Sequence, residues 1–211
     1  MSDVNGTKQP AHRGWDQRYQ GETYLFGEEP NAFLASQSTR LRRGWKALAI
    51  ADGEGRNGVW LAERGLDVHS IDASAVAQEK ARRLAELRGV GLRLEQVDLA
   101  EWTFPENTYD LIAAIFIQFA GPELREKLFE GMVRALNPGG LLLLQGYRPE
   151  QIAYGTGGPP TPENLYTEPM LRKAFGTLEI LRLESHDDVI KEGEGHNGMS
   201  ALIDLVARRP G

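Results

Sequence analysis

A chain of 211 residues, 41% of them hydrophobic, is long enough to bury one sizeable core and short for two. Its 30 acidic against 24 basic side chains leave a formal charge of -6, which argues against a general nucleic-acid binder or a partner of anionic membranes. Cysteine is absent, which excludes disulfides, a thiol nucleophile and thiolate metal sites, and no metal is expected.

In chain order, MSDVNGTKQP is polar, lacks an apolar leader core, and opens a stretch 1–14 expected to be disordered. Residues 15–40 carry Trp15, Tyr19, Tyr24, Phe26 and Phe33, and read as a lid segment ahead of a core spanning 41–207, in one domain over the whole chain. Pro30 suits the first turn of a short helix. Lys46 to Ala51 is a short apolar run that ends in a glycine loop, followed by a helical stretch closed by Gly65. Leu66 to Ile71 reads as a second strand ending in Asp72, and Ser74 caps a helix with Ala77, Ala81, Leu84 and Leu87 on one face.

Leu92 to Val97 makes a third strand and Tyr109 to Phe116 a fourth, too continuously apolar for an exposed edge. A helix from about Pro122 buries Leu124, Leu128, Met132, Val133 and Leu136, and Asn137-Pro138-Gly139-Gly140 turns into LLLLQGY, whose four leucines fall far short of the roughly 20 residues that cross a bilayer. Residues 154–166 are too rich in glycine and proline for regular structure. A helix from Glu168 to Phe175 precedes two final strands, Leu178 to Glu184 and Met199 to Ala207. Alternating strands and helices imply an α/β, Rossmann-like doubly wound sheet, with ligands outside the strands' carboxyl ends. A cytoplasmic protein, monomer or homodimer, is the expectation.

The loop reads ADGEGRNG, a literal G-x-G-x-x-G at Gly53, Gly55 and Gly58. The pattern alone suits NAD(P) and an oxidoreductase, with Asp72 within reach of ribose hydroxyls. Asp52 and Glu54, however, flank Gly53, and two unit charges about 5 Å apart at an effective dielectric of 20 repel by about 3 kcal/mol. S-adenosylmethionine (SAM) has no phosphate and carries two cationic groups, which an acidic loop suits.

LAIADGEGRNGVWLAERG, Asp72 after the next strand, ALNPGGLLLL and WDQRYQGETYLFGEEPNAFL together resemble the class I SAM-dependent methyltransferases, in particular the small bacterial branch similar to tellurite-resistance and thiopurine methyltransferases. The resemblance covers most of residues 15–207 and implies a seven-stranded sheet, mostly parallel, with an antiparallel last strand. It implies SAM contacts from Ala51, Asp52, Gly53, Glu54, Gly55 and Asn57 in the loop. Further along it implies Asp72 and Ala73 at the ribose, Asp98 and Leu99 near the adenine, and Ile115 and Phe116 under the methionine portion. Arg18 and Tyr24 are candidates to reach the cofactor from the lid. The sequence departs from the family pattern at Ala49 and Ala51, which stand where an acid and a glycine are usual.

Methyl transfer is a displacement that needs alignment and water exclusion more than an acid–base triad. The resemblance points to a small-molecule acceptor, with a soft thiol, selenium or tellurium nucleophile as its substrate class. Trp15, Phe26, Gln118, Gln145, Arg148 and Tyr154 are candidates to bind it. His196, as a base titrating near neutrality, and Tyr147 are the catalytic candidates. A silent SAM-binding regulator stays open beside the enzyme.

Overall fold

The computed structural model describes residues 12–211. Of the stretch expected to be disordered, residues 1–11 lie outside the described residues, while 12–14 begin helix α1, His12–Arg18. Helix α2, Ala32–Ser36, follows Pro30 at one remove: Asn31 is its cap, accepting from Leu34 N at 2.9 Å, so the proline precedes the helix instead of opening it.

From Lys46 onward strands and helices alternate: β1 Lys46–Ile50, α3 Arg56–Glu63, β2 Asp67–Asp72, α4 Ala75–Leu87, β3 Arg93–Gln96, β4 Tyr109–Ile115. Then come α5 Pro122–Ala135, β5 Leu136–Tyr147, α6 Gln151–Tyr154, α7 Glu168–Ala174, β6 Glu179–Glu192 and β7 His196–Arg208. They build a seven-stranded sheet in the order β3-β2-β1-β4-β5-β7-β6. The first five strands pair in parallel, and β7 lies antiparallel between β5 and β6.

Both sheet faces are covered, which is why β1 and β4 are apolar at successive positions. Leu48, Ile50, Ile112, Leu142 and Leu144 pack on the side of α5 and α7. Ala47, Leu111, Leu141 and Leu143 face α2 and α3, against Phe33, Trp60 and Leu61. Ser74 caps α4 by accepting from Ala77 N at 3.1 Å, and Ala77, Ala81 and Leu84 are buried as their spacing predicts. Leu87, on the same face, is exposed because it is the helix's last residue.

Several boundaries differ from the sequence expectation. Leu136 opens β5 opposite Tyr109 instead of closing α5, with a bulge before Leu111, and the Asn137-Pro138-Gly139-Gly140 turn lies in that irregular start. Leu124 and Val133 are half-buried. Tyr154 completes α6, and Pro162–Asn164 forms a single 3-10 turn within the stretch expected to be irregular. The largest difference is the β6–β7 hairpin, which continues to Glu192 and resumes at His196. Asp187 to Glu192 (DDVIKE) pair rung by rung with His196 to Ala201, a mostly polar and glycine-containing stretch that lacks the apolar alternation by which a strand is read from sequence. Among the described residues no helix is long and apolar enough to cross a membrane.

Candidate functional site

At the carboxyl ends of the paired strands β1 and β4 the chain turns at Ala51, φ 47°, and at Phe116, φ 54°. Positive φ costs an L-residue roughly 1 kcal/mol or more, and such strain concentrates at functional sites. Both residues line one cleft of about 440 Å³, whose walls also include Asp72, Leu99, Tyr147 and His196.

Asp72 ends β2 facing the glycine loop. Its Oδ2 accepts from Gly53 N at 2.9 Å and its Oδ1 from Ser74 N at 2.8 Å, while burial raises its pKa above the usual carboxylate range. Each oxygen keeps a lone pair, so two further hydroxyl donors can be received. Ala73 lines the cleft beside it; across from it Asp98, exposed, accepts from Ala100 N at 2.9 Å and Leu99 is buried. Gly53 must lack a side chain because a Cβ there would lie 2.9 Å from the Tyr19 hydroxyl. Ile115 and Phe116 complete the floor.

The N-terminal segment covers the loop. Trp15 and Tyr19 stack at 5.6 Å between centroids, Arg18 lies over Trp15 at 4.5 Å, and all three line the cleft with Phe26. Tyr24 does not: its hydroxyl donates to Lys80 O, and the ring packs beside α4.

The two loop acids are also placed differently from expectation. Glu54 turns away from the cleft, with Oε1 2.5 Å from Lys80 Nζ and Oε2 accepting from Leu25 N at 2.8 Å. Asp52 reaches under α3, accepting from Gly58 N and, at 2.8 Å, from Ser70 Oγ, and burial pushes its pKa up to about 7. Neither presents a bare charge to a ligand, so the repulsion of a pyrophosphate inferred from the sequence is not what this loop exerts. Gly55 lies outside the cleft wall as well; its bare Cα makes room for Ala81, which a Cβ would meet at 2.6 Å. Asn57 reaches the wall but spends its carbonyl on Asn31 N.

At the far end Gln118 is buried, clamping the β5 end by donating to Tyr147 O and accepting from Tyr147 N. His196, first residue of β7, is buried among Phe26 and Phe116, each 4.4 Å away between centroids, and Tyr147 at 5.8 Å. Burial, with Arg56 and Arg18 nearby, lowers its pKa to about 3, so it is not the base titrating near neutrality that was expected. Burial raises the Tyr147 pKa well above its usual value.

Three acceptor candidates lie elsewhere. Gln145 is not part of the cleft wall and is bound to Asn31 and Asp204. Arg148 pairs with Asp187 and Glu150, and Tyr154 donates to Asp187 at the surface. The sequence reading missed Arg56, which lines the cleft from the first turn of α3 and pairs with Glu192 of the hairpin tip at 2.7 Å. A cation at a helix N-terminus opposes the macrodipole, and that was the available signal.

Residues 47–140 match the model of a methyltransferase domain. Glycine/sarcosine N-methyltransferase of Halorhodospira halochloris is 33% identical over 135 residues, covering 62% of this chain and 47% of that protein. Demethylmenaquinone methyltransferase of Thermus thermophilus is 32% identical over 113 residues, covering 52% and 51%. The chain thus spans about half the length of these curated relatives. TehB from Haemophilus influenzae superimposes with a TM-score of 0.70 at 16% identity, covering 94% of this chain and 66% of that one, a likeness of fold.

Proposed function

We propose that this chain, whose residues 47–140 belong to the class I SAM-dependent methyltransferase family, transfers a methyl group from SAM to a small-molecule acceptor. The observation that carries the reading is Asp72, buried at the end of β2 and tied to Gly53 N at 2.9 Å, with lone pairs left for a ribose diol. Bound SAM supplies a methyl carbon on a sulfonium: the acceptor's lone pair forms the new bond, the carbon–sulfur pair returns to sulfur, and the acceptor's proton leaves to solvent.

The residues present fit that cofactor. Asp98 and Leu99 line the cleft where they would hold the adenine side, and Ile115 and Phe116 where they would support the methionine portion. Arg18, which lines the cleft over the Trp15 ring, would pair with the carboxylate. A soft nucleophile, a thiol, selenium or tellurium compound, suits the acceptor end because neither His196 nor Tyr147 takes up a proton near neutral pH. The competing readings are an NAD(P)-dependent oxidoreductase and a silent SAM-binding regulator.

Thermal unfolding with SAM, S-adenosylhomocysteine and NAD decides among them, since a ligand at a hundred times its Kd adds about 2.7 kcal/mol. Stabilisation by the two sulfur nucleosides with none from NAD is expected; the reverse overturns the proposal. Binding of SAM without turnover of any thiol, selenite, tellurite, amine or phenol favours the regulator.

A further inference from the structure

The acceptor end of the cleft is walled by rings packed against one another. Phe116 stacks on Tyr147 at 4.7 Å and 27°, while His196 meets Phe116 edge-on and Phe26 at a tilt. The backbone is shaped to this packing: a Cβ on Gly195 would fall 2.3 Å from Phe26, and one on Gly158 2.9 Å from Tyr147. Pro159 and Pro160 add flat apolar wall.

Within this wall, His196 makes no hydrogen bond among the described residues, and its Nδ1 is fully enclosed without a partner. A buried N–H left unpaired is rarer and costlier than an unpaired lone pair, so the enclosed Nδ1 is bare and the proton sits on Nε2. Nε2 is the ring nitrogen that is not enclosed, on a residue that lines the cleft.

We propose that His196 is the specificity-determining contact of the acceptor site, an uncharged donor whose Nε2–H holds an acceptor atom on a flat ring lying in the cleft against the wall that Phe116, Tyr147, Pro159 and Pro160 line. This deepens the methyltransferase reading and rests on the same cleft. His196 positions the acceptor and takes no proton from it. The charged groups facing it are Arg56 from α3, already paired with Glu192 of β6, and Arg18 from α1; Tyr147 of β5 is the remaining titratable group, and it stays protonated. Both arginines disfavour a second positive charge on the imidazole.

The test uses 2-naphthol as probe, followed by its fluorescence on the full chain with and without S-adenosylhomocysteine, whose own binding is measured separately by calorimetry. Binding of 2-naphthol at least about tenfold tighter than naphthalene is expected, the equivalent of one hydrogen bond. Cyclohexanol, which has the hydroxyl without the flat ring, is expected to compete weakly. Affinity for 2-naphthol should be level from about pH 5 to 8, whereas a titrating histidine would give an inflection near its usual pKa of about 6.5. His196→Phe should keep S-adenosylhomocysteine affinity and abolish the preference for 2-naphthol over naphthalene.

An inflection near that pH, equal binding of 2-naphthol and naphthalene, or a preference that persists in His196→Phe overturns the assignment. The first two outcomes are read on the unaltered chain, so they do not depend on the variant folding. Absence of S-adenosylhomocysteine binding with 2-naphthol binding present would instead overturn the methyltransferase reading and leave the His196 contact standing.

Discussion

Glu54 Oε1 lies 2.5 Å from Lys80 Nζ, with the two side chains 3% and 7% exposed, and the pair joins the glycine loop to the middle of α4. Lys80 also donates to Thr23 O at 2.6 Å and Tyr19 O at 3.3 Å, and Glu54 accepts from Leu25 N. One buried ion pair thereby holds the lid segment onto the sheet. Removing one partner strands the other charge, so Lys80→Ala should cost about 3–5 kcal/mol in urea denaturation. Glu54→Gln combined with Lys80→Met should recover most of that loss; an equally unstable double variant would show that the contacts to Tyr19 and Thr23 dominate.

Replacing Asp72 by Ala removes the acceptor of Gly53 N and Ser74 N along with the proposed ribose contact. Hydrogen bonds to charged groups contribute about 1.5–3 kcal/mol, so calorimetry should show S-adenosylhomocysteine affinity falling by roughly 10-fold or more. Unchanged affinity would place the ribose elsewhere.

The positive φ of Ala51 gives opposite signs to two loop substitutions. Ala51→Gly relieves a left-handed alanine and loses some unfolded-state restriction, for a net change between about zero and 1 kcal/mol of stabilisation. Gly53→Ala introduces a methyl 2.9 Å from the Tyr19 hydroxyl at φ 59° and should destabilise by roughly 1–3 kcal/mol. Chemical denaturation of the two variants side by side checks the contrast.

Asp52 makes stability depend on pH in the direction opposite to a salt-bridged acid. Its folded pKa, pushed up to about 7 by burial, exceeds the unfolded carboxylate value, so between the two the folded state binds more protons. Its contribution is fully present below the unfolded pKa and is lost as pH rises through about 7. Asp52→Asn should flatten this slope in denaturation midpoints collected across that window, and an unchanged slope would assign it to another group.

The βα order placed the glycine loop, Asp72, Asp98 and Phe116 at one sheet edge, because strand-end positions follow from alternation of elements. Side-chain direction followed less well. Gln145 shares parity with Tyr147, which lines the cleft, and what takes it out of the cleft is its bonding to Asn31 and Asp204, partners far away in sequence. Glu54 was read as a free loop charge because nothing local announces Lys80, a lysine on the buried face of a separate helix. His196 sits in a glycine-rich polar stretch whose burial depends on Phe26, near the opposite end of the chain, and no local pattern carries that.

The third glycine of the loop fingerprint has its own reason for being bare. A Cβ on Gly58 would fall 2.3 Å from Asp52 Oδ2, the carboxylate that accepts the Gly58 amide. Positions 52 and 58 therefore form a single heritable unit: an acid at one forbids a side chain at the other. In a variant library built on this chain the two must be diversified together, and a motif search that rewards this glycine is detecting a neighbour's carboxylate, not a dinucleotide.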